Sequence, residues 1–143
     1  GVSSLFGNTD VYEAAPPADA VILARGQVLQ GMTADTPPAS YRKATAAKVE
    51  QEVNSPMMPV AWARSVKNDK GGENKILCTT MGAATDLTDE GLRRLVINGV
   101  YWGLGLDVPE KADATLVGDY QPTMYGFKGN KQGLKPDDFV LAK

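Results

Sequence analysis

The stretch that most constrains the fold of this chain is residues 76–106, ILCTTMGAATDLTDEGLRRLVINGVYWGLGL. It begins as a short apolar run at residues 76–81, breaks at Gly82 and resumes with apolar residues at helical spacing. The first pattern is typical of a buried strand, and the second predicts an amphipathic helix over residues 87–104. The change of period therefore predicts a strand that leads through a glycine turn into a helix.

The predicted helix has a start signal and an apolar side. Asp86 or Thr88 can cap it, because a side-chain oxygen at that position accepts a free backbone N–H. Gly99 would let the apolar side approach a neighbouring element closely. The residues expected on the buried side are Leu92, Leu95, Val96, Val100 and Trp102.

Two further strands are predicted upstream. Residues 21–29, VILARGQVL, are apolar on both faces, which is typical of a buried strand. Residues 60–66 alternate, with Val60, Trp62 and Val66 on one face. The Gly-Gly and Asn-Asp pairs in residues 67–75 predict a loop, so residues 60–66 and 76–81 should form a hairpin.

The remaining segments have weaker patterns. Residues 33–56 are expected to be a surface excursion, with one short helix at residues 40–53 that has only a thin apolar stripe. Residues 107–143 show no sustained period, yet they are too rich in apolar and aromatic residues for a free tail. They are expected to wrap over the body of a single, partial domain that spans residues 1–143.

Composition excludes several classes of function. The net charge of −2 argues against a nucleic-acid partner, and no apolar run is long enough for a transmembrane helix. The chain has no histidine, so it cannot form a Ser-His-Asp or Cys-His pair by itself. With Cys78 as the single cysteine, a zinc site would have to use carboxylates and one thiolate alone, so no zinc site is expected, and no other metal or cofactor is predicted.

The turn after residues 76–81 is the candidate site. Thr79, Thr80 and Asp86 flank it, and Gly82 would let a ligand approach the backbone. One interpretation is a polar pocket in which N–H groups at the helix start bind an oxyanion or sugar hydroxyls. The other interpretation is a tight turn followed by a capped helix. Arg64 is a further candidate, either as a contact for an anion or a carboxylate or as a solvated arginine at the end of a strand.

Three other features have structural interpretations. Cys78 lies within an apolar run and is expected to be a buried, unreactive thiol. Trp62 and Trp102 could stack on sugar rings, although tryptophans are more often part of the core. The glycine pattern GFKGNKQG, residues 126–133, follows no predicted strand and opens no helix, so it is not a phosphate-binding loop.

Several motifs together resemble a known family. PMMPVAWARS, CTTMGAATDLTDEGLRRLVINGVYWGLGL and LVGDYQPTMYGF closely resemble the C-terminal half of ThuA-like, trehalose-utilisation proteins. LFGNTDVYE and LARGQVLQGM resemble the segments that precede these motifs in the same family. The resemblance covers nearly the whole chain, and residues 33–55 depart from it in length and composition.

The resemblance implies an α/β fold, namely the C-terminal part of a flavodoxin-like sheet similar to that of class I glutamine amidotransferases. It also implies that a preceding half, which carries the histidines, or another chain covers the sheet. In an amidotransferase, His-Pro-Glu would follow the strand at residues 76–81, whereas Gly82-Ala83-Ala84 follows here. The resemblance therefore implies a scaffold without that catalytic triad.

The function implied by the resemblance is a part in the utilisation of trehalose or a related disaccharide, with a small sugar as the substrate. The alternative is a non-catalytic module that binds carbohydrate or takes part in assembly. Export to the periplasm is compatible with the resemblance, and so is a cytoplasmic location.

Overall fold

Five strands and one α-helix make up the regular structure of the computed structural model, which describes residues 1–123 and 132–140. In chain order they are β1 (Val21–Gly26), β2 (Arg42–Ala44), β3 (Glu50–Glu52), β4 (Met58–Lys67), β5 (Glu73–Thr79) and α1 (Glu90–Gly103). Short 3-10 turns lie at Asp86–Thr88 and Pro136–Phe139. The result is a small α/β domain, as expected at that level from the sequence.

The main sheet has the order β1-β4-β5 and is antiparallel throughout. The predicted hairpin is confirmed, because β4 and β5 pair from Ala61↔Thr79 to Lys67↔Glu73. The connecting loop is shorter than predicted, and Asn68 shapes it by accepting the N–H groups of Lys70 and Gly72. β1 ends three residues earlier than predicted, since its last residue is Gly26 rather than Leu29.

The helix predicted at residues 40–53 is wrong. β2 and β3 pair there as an antiparallel ribbon, with Arg42 opposite Glu52. Lys48 has a φ of 60° in the connecting turn, a conformation incompatible with a continuous helix. A short isolated helix with a thin apolar stripe is marginal in water. In the ribbon, the backbone N–H and C=O groups that a helix would use are paired between β2 and β3. The end of the ribbon is held by Asn54, whose side chain forms hydrogen bonds with Val28 and Ala39.

Helix α1 packs on the sheet through Gly99, whose Cα faces the side chain of Leu77 in β5. Leu92 is fully buried, but Val96 and Val100 are 38% and 56% exposed. The expectation that these two valines belong to the buried side is therefore wrong, because the sheet covers only the side of the helix that carries Leu92 and Gly99. The actual core is small and has Val60, Ala61 and Leu92 at its centre.

The segment after α1 lies back along the helix. Arg94 donates from Nε to the carbonyl of Ala112, at 2.9 Å, and Arg93 donates from Nε to the carbonyl of Ala114, at 2.7 Å. Both alanines are buried. Residues 124–131 and 141–143 of the predicted tail, which include most of the GFKGNKQG pattern, lie outside the described residues.

Candidate functional site

Four of the five candidate residues lie around one turn, and the fifth lies elsewhere. Thr79, Thr80, Gly82 and Asp86 surround the β5–α1 connection. Arg64 pairs with Ile76, three ladder positions from the Ala61↔Thr79 pair, which is about 10 Å along the strand. The structure therefore does not bring Arg64 to the turn.

Arg64 is engaged by an acid from the segment before β1. Its Nη2 lies 2.8 Å from Oδ2 of Asp19, and the Arg64 side chain is only 25% exposed. Arg64 lines an apolar groove of about 690 Å³ between β1 and α1, together with Trp102. The Trp102 ring also forms a cation–π contact with Lys75, whose Nζ lies 5.5 Å from the ring centroid.

Asp86 is the centre of the turn and is 1% exposed. Its Oδ1 accepts the backbone N–H of Asn8 at 2.7 Å, and its Oδ2 accepts the Thr9 hydroxyl at 2.7 Å. Oδ2 also accepts the N–H groups of Gly82 at 3.1 Å and Ala83 at 3.2 Å. Four protein donors thus occupy the carboxylate, which joins the N-terminal segment to the turn.

These bonds decide the charge state of Asp86. Burial is the largest single influence and by itself raises the pKa of this carboxyl. The hydrogen bonds from Thr9, Gly82, Asn8 and Ala83 all favour the charged form, and together they hold the pKa of Asp86 below its ordinary value. Asp86 is therefore a carboxylate at neutral pH and is poorly suited to donate a proton to a substrate.

The two threonines have different environments. Thr79 Oγ1 accepts the N–H of Met81 at 3.0 Å, which tightens the end of β5. Thr80 donates its own N–H to the carbonyl of Val60, but its Oγ1 is buried and has no partner among the described residues. Neither arrangement presents a threonine hydroxyl that is both free and open to solvent.

Gly82 has a φ of +152° and is exposed, and a β-carbon built there would meet no atom within 4 Å. The conformation favours glycine, while the space beside it is open. The backbone N–H of Gly82 is directed at Asp86, so it is already committed within the turn.

The start of α1 is capped differently from the prediction. Asp89, rather than Asp86 or Thr88, is the N-cap, and its Oδ1 accepts the N–H of Leu92 at 2.8 Å. The carbonyl of Ser4 also lies against Gly91 in the first turn. An acidic cap and a chain carbonyl therefore lie at the helix start, where one interpretation of the sequence predicts an oxyanion.

The residues that the sequence analysis missed lie in the first part of the chain. Asn8 and Thr9 complete the turn at Asp86. Val11 packs against Gly26, where an added β-carbon would lie 3.0 Å from Val11 Cγ2. This N-terminal segment has no periodic pattern. Its one signal of ordered structure is the turn-forming Asn-Thr-Asp run at residues 8–10.

The same segment forms one wall of a crevice of about 1140 Å³. The opposite wall is the β2–β3 ribbon, and Val60 and Met81 lie among its inner residues. Its lining includes acidic, basic, amide and aromatic side chains. This crevice is larger than the groove at Arg64 and much more polar.

The described ranges, 1–123 and 132–140, lack two features that would indicate a particular class of function. They contain no group of three or more acidic, cysteine or histidine side chains placed to hold a metal ion. No helix within them has both the length and the apolar character needed to cross a bilayer.

Comparison of the chain with models of protein families, with curated proteins and with solved structures gives no match. The resemblance to ThuA-like proteins therefore stays a hypothesis that rests on the motifs.

Proposed function

We propose that this chain is a C-terminal part of a ThuA-like protein of carbohydrate utilisation, in which it serves as scaffold and contributes to binding of a disaccharide such as trehalose. The observation that carries the scaffold role is the state of Asp86. Four donors from its own chain occupy this buried carboxylate, and no histidine is available to act with it. The link to sugars comes from the resemblance of the motifs.

The flavodoxin-like sheet belongs to the same proposal. Many α/β sheets carry antiparallel strands at the margin of an otherwise parallel sheet. In this proposal β1, β4 and β5 form such a margin, and the parallel strands and catalytic groups come from preceding polypeptide or from another chain. Val21 and Leu23 on β1 are 63% and 47% exposed, so a face of the sheet is open there, and in this proposal the preceding polypeptide or another chain covers it.

The second candidate function is a non-catalytic module for carbohydrate binding or assembly. It is favoured by the open side of α1, where Val96, Val100 and Leu104 are 38%, 56% and 70% exposed. A row of apolar side chains spaced four residues apart on one helix is typical of a surface that another protein covers.

Saturation-transfer NMR with trehalose, maltose and sucrose, combined with an assay for consumption of each sugar, tests the proposal. We expect the purified chain to bind at least one disaccharide and to consume none. Consumption by the chain alone would contradict the scaffold role. Absence of binding to every sugar would remove the carbohydrate link and leave assembly as the function.

A further inference from the structure

Two tyrosines face the large crevice between the N-terminal segment and the β2–β3 ribbon. Tyr12 stands on one wall and is 52% exposed, and Tyr41 stands on the other and is 50% exposed. Neither hydroxyl forms a hydrogen bond within the described part of the chain. Tyrosine is intermediate in its tendency to be buried, and its ring combines an apolar face with a polar tip, so two half-exposed rings that line the same crevice offer a ligand two surfaces for stacking.

The walls of the crevice are not free loops, because hydrogen bonds hold both of them in place. Glu13 accepts the N–H of Ala46 at 2.7 Å, which joins the N-terminal segment to the tip of the ribbon. Asn54 holds the base of the ribbon through Val28. The bond from Asn8 to Asp86 anchors the other end of the N-terminal segment. A site held in this way loses little freedom when a ligand binds.

The lining of the same crevice also includes polar groups of both signs. Asp10, Lys43 and Gln51 line the crevice, and none of these side chains forms a hydrogen bond within the described residues. A carboxylate accepts hydrogen bonds, an ammonium donates them and an amide does both. The mixture suits a neutral ligand that carries many hydroxyl groups better than a strongly charged ligand.

We propose that this crevice binds a pyranose ring, with the apolar face of the sugar stacked on Tyr12 or Tyr41 and its hydroxyls directed to Asp10, Lys43 and Gln51. The inference rests on the proposed carbohydrate function and gives the binding site a location. That location is the N-terminal side of the chain rather than the β5–α1 turn.

The test compares the wild-type chain with the double variant Tyr12→Ala/Tyr41→Ala and the double variant Tyr12→Phe/Tyr41→Phe, using NMR titration with trehalose and maltose. We expect the alanine variant to bind at least about ten-fold more weakly, and the phenylalanine variant to stay within about three-fold of wild type, because it keeps both rings. Thermal melting of both variants should match wild type, since the two rings are half exposed.

Leu104→Ala is the matched control, because Leu104 is also largely exposed but does not line the crevice. It should bind sugar as the wild type does. Wild-type affinity in the alanine double variant would overturn the crevice as the site while leaving the carbohydrate function in place. An equal loss in Leu104→Ala would also overturn it, since the binding would then be non-specific. Absence of sugar binding by the wild type would overturn both proposals.

Discussion

Gly99 in α1 lies so close to Leu77 in β5 that a β-carbon on Gly99 would overlap Cδ2 of the leucine. This contact sets the distance between the helix and the sheet. We expect Gly99→Ala to destabilise the chain by about 1–3 kcal/mol, because the core must shift to admit the methyl group. Thermal unfolding would measure it.

Gly103, at the end of the same helix, is the matched control for this change. A β-carbon there would meet no atom within 4 Å. Gly103→Ala should be neutral or slightly stabilising, since alanine has the higher helix propensity. Equal melting temperatures for the two variants would show that the helix does not rest on Leu77.

Asp86→Ala should be much more damaging than the loss of a simple helix cap. It would leave the part-buried N–H groups of Asn8, Gly82 and Ala83 and the hydroxyl of Thr9 without their acceptor. We expect a cost of about 3 kcal/mol or more, since each unsatisfied buried donor costs ~1–3 kcal/mol. Urea unfolding would measure it. Asp69→Ala, in the exposed β4–β5 loop, should have almost no effect. A cost for Asp86→Ala of only about 1 kcal/mol, as for a cap, would contradict a carboxylate that holds four donors in place.

The lowered pKa of Asp86 predicts a dependence of stability on pH. Because the folded pKa lies below the unfolded value of about 3.9, the stabilisation by the carboxylate is fully present above that value. It is lost as the pH falls through the folded pKa. We expect the stability difference between wild type and Asp86→Asn to be constant from pH 7 to 5 and to shrink below pH 4. Urea titrations at each pH would show this, and a difference that persists unchanged at the lowest pH would argue against an ionised Asp86.

Thr80 and Thr79 should respond in opposite directions to replacement by valine. Thr80→Val removes a buried hydroxyl that has no partner among the described residues, so it should leave stability unchanged or raise it by up to ~1 kcal/mol. Thr79→Val removes the acceptor for the Met81 N–H and should cost ~1 kcal/mol. Chemical unfolding of the two variants provides the comparison. If Thr80→Val strongly weakened sugar binding and Thr79→Val did not, the β5–α1 turn would again be a candidate binding site.

We expect the buried and the open side of α1 to differ in how well they tolerate a charged side chain. Leu92 is fully buried, so Leu92→Asp should prevent folding by placing an unpaired charge in the core. Val96 is 38% exposed, so Val96→Asp should leave a folded chain with a modestly lower melting temperature. Circular dichroism and melting curves would separate the two outcomes. Loss of folding in Val96→Asp would indicate that the open side is covered in solution.

The parts of the fold that were predictable are those in which neighbours along the sequence decide the structure. The β4–β5 hairpin follows from alternation and from a loop rich in Asn and Gly, and α1 follows from its helical period. Residues 42–52 were predicted wrongly, because their alanines favour a helix while Asn54 and the partner strand favour a ribbon. Local propensity is a weak guide where tertiary contacts compete with it.

The candidate site was less predictable, since its geometry depends on distant contacts. The sequence placed Thr79, Thr80, Gly82 and Asp86 around one turn, and they lie there because they belong to one short connection. It could not show that Asn8 and Thr9 would occupy the Asp86 carboxylate. Nor could it show that Tyr12 and Tyr41 would face the same crevice, since no periodic pattern relates the two segments.

The bond between Asn8 and Asp86 joins residues 78 positions apart and therefore has a consequence for the order of folding. Contacts within the β4–β5 hairpin close short loops, whereas this one must close a loop of about half of the chain, at a greater entropic cost. During synthesis the N-terminal segment emerges well before Asp86. The N–H of Asn8 therefore lacks the Asp86 carboxylate as its acceptor while the β4–β5 hairpin forms. We expect the buried carboxylate to be the closing contact of folding rather than its nucleus.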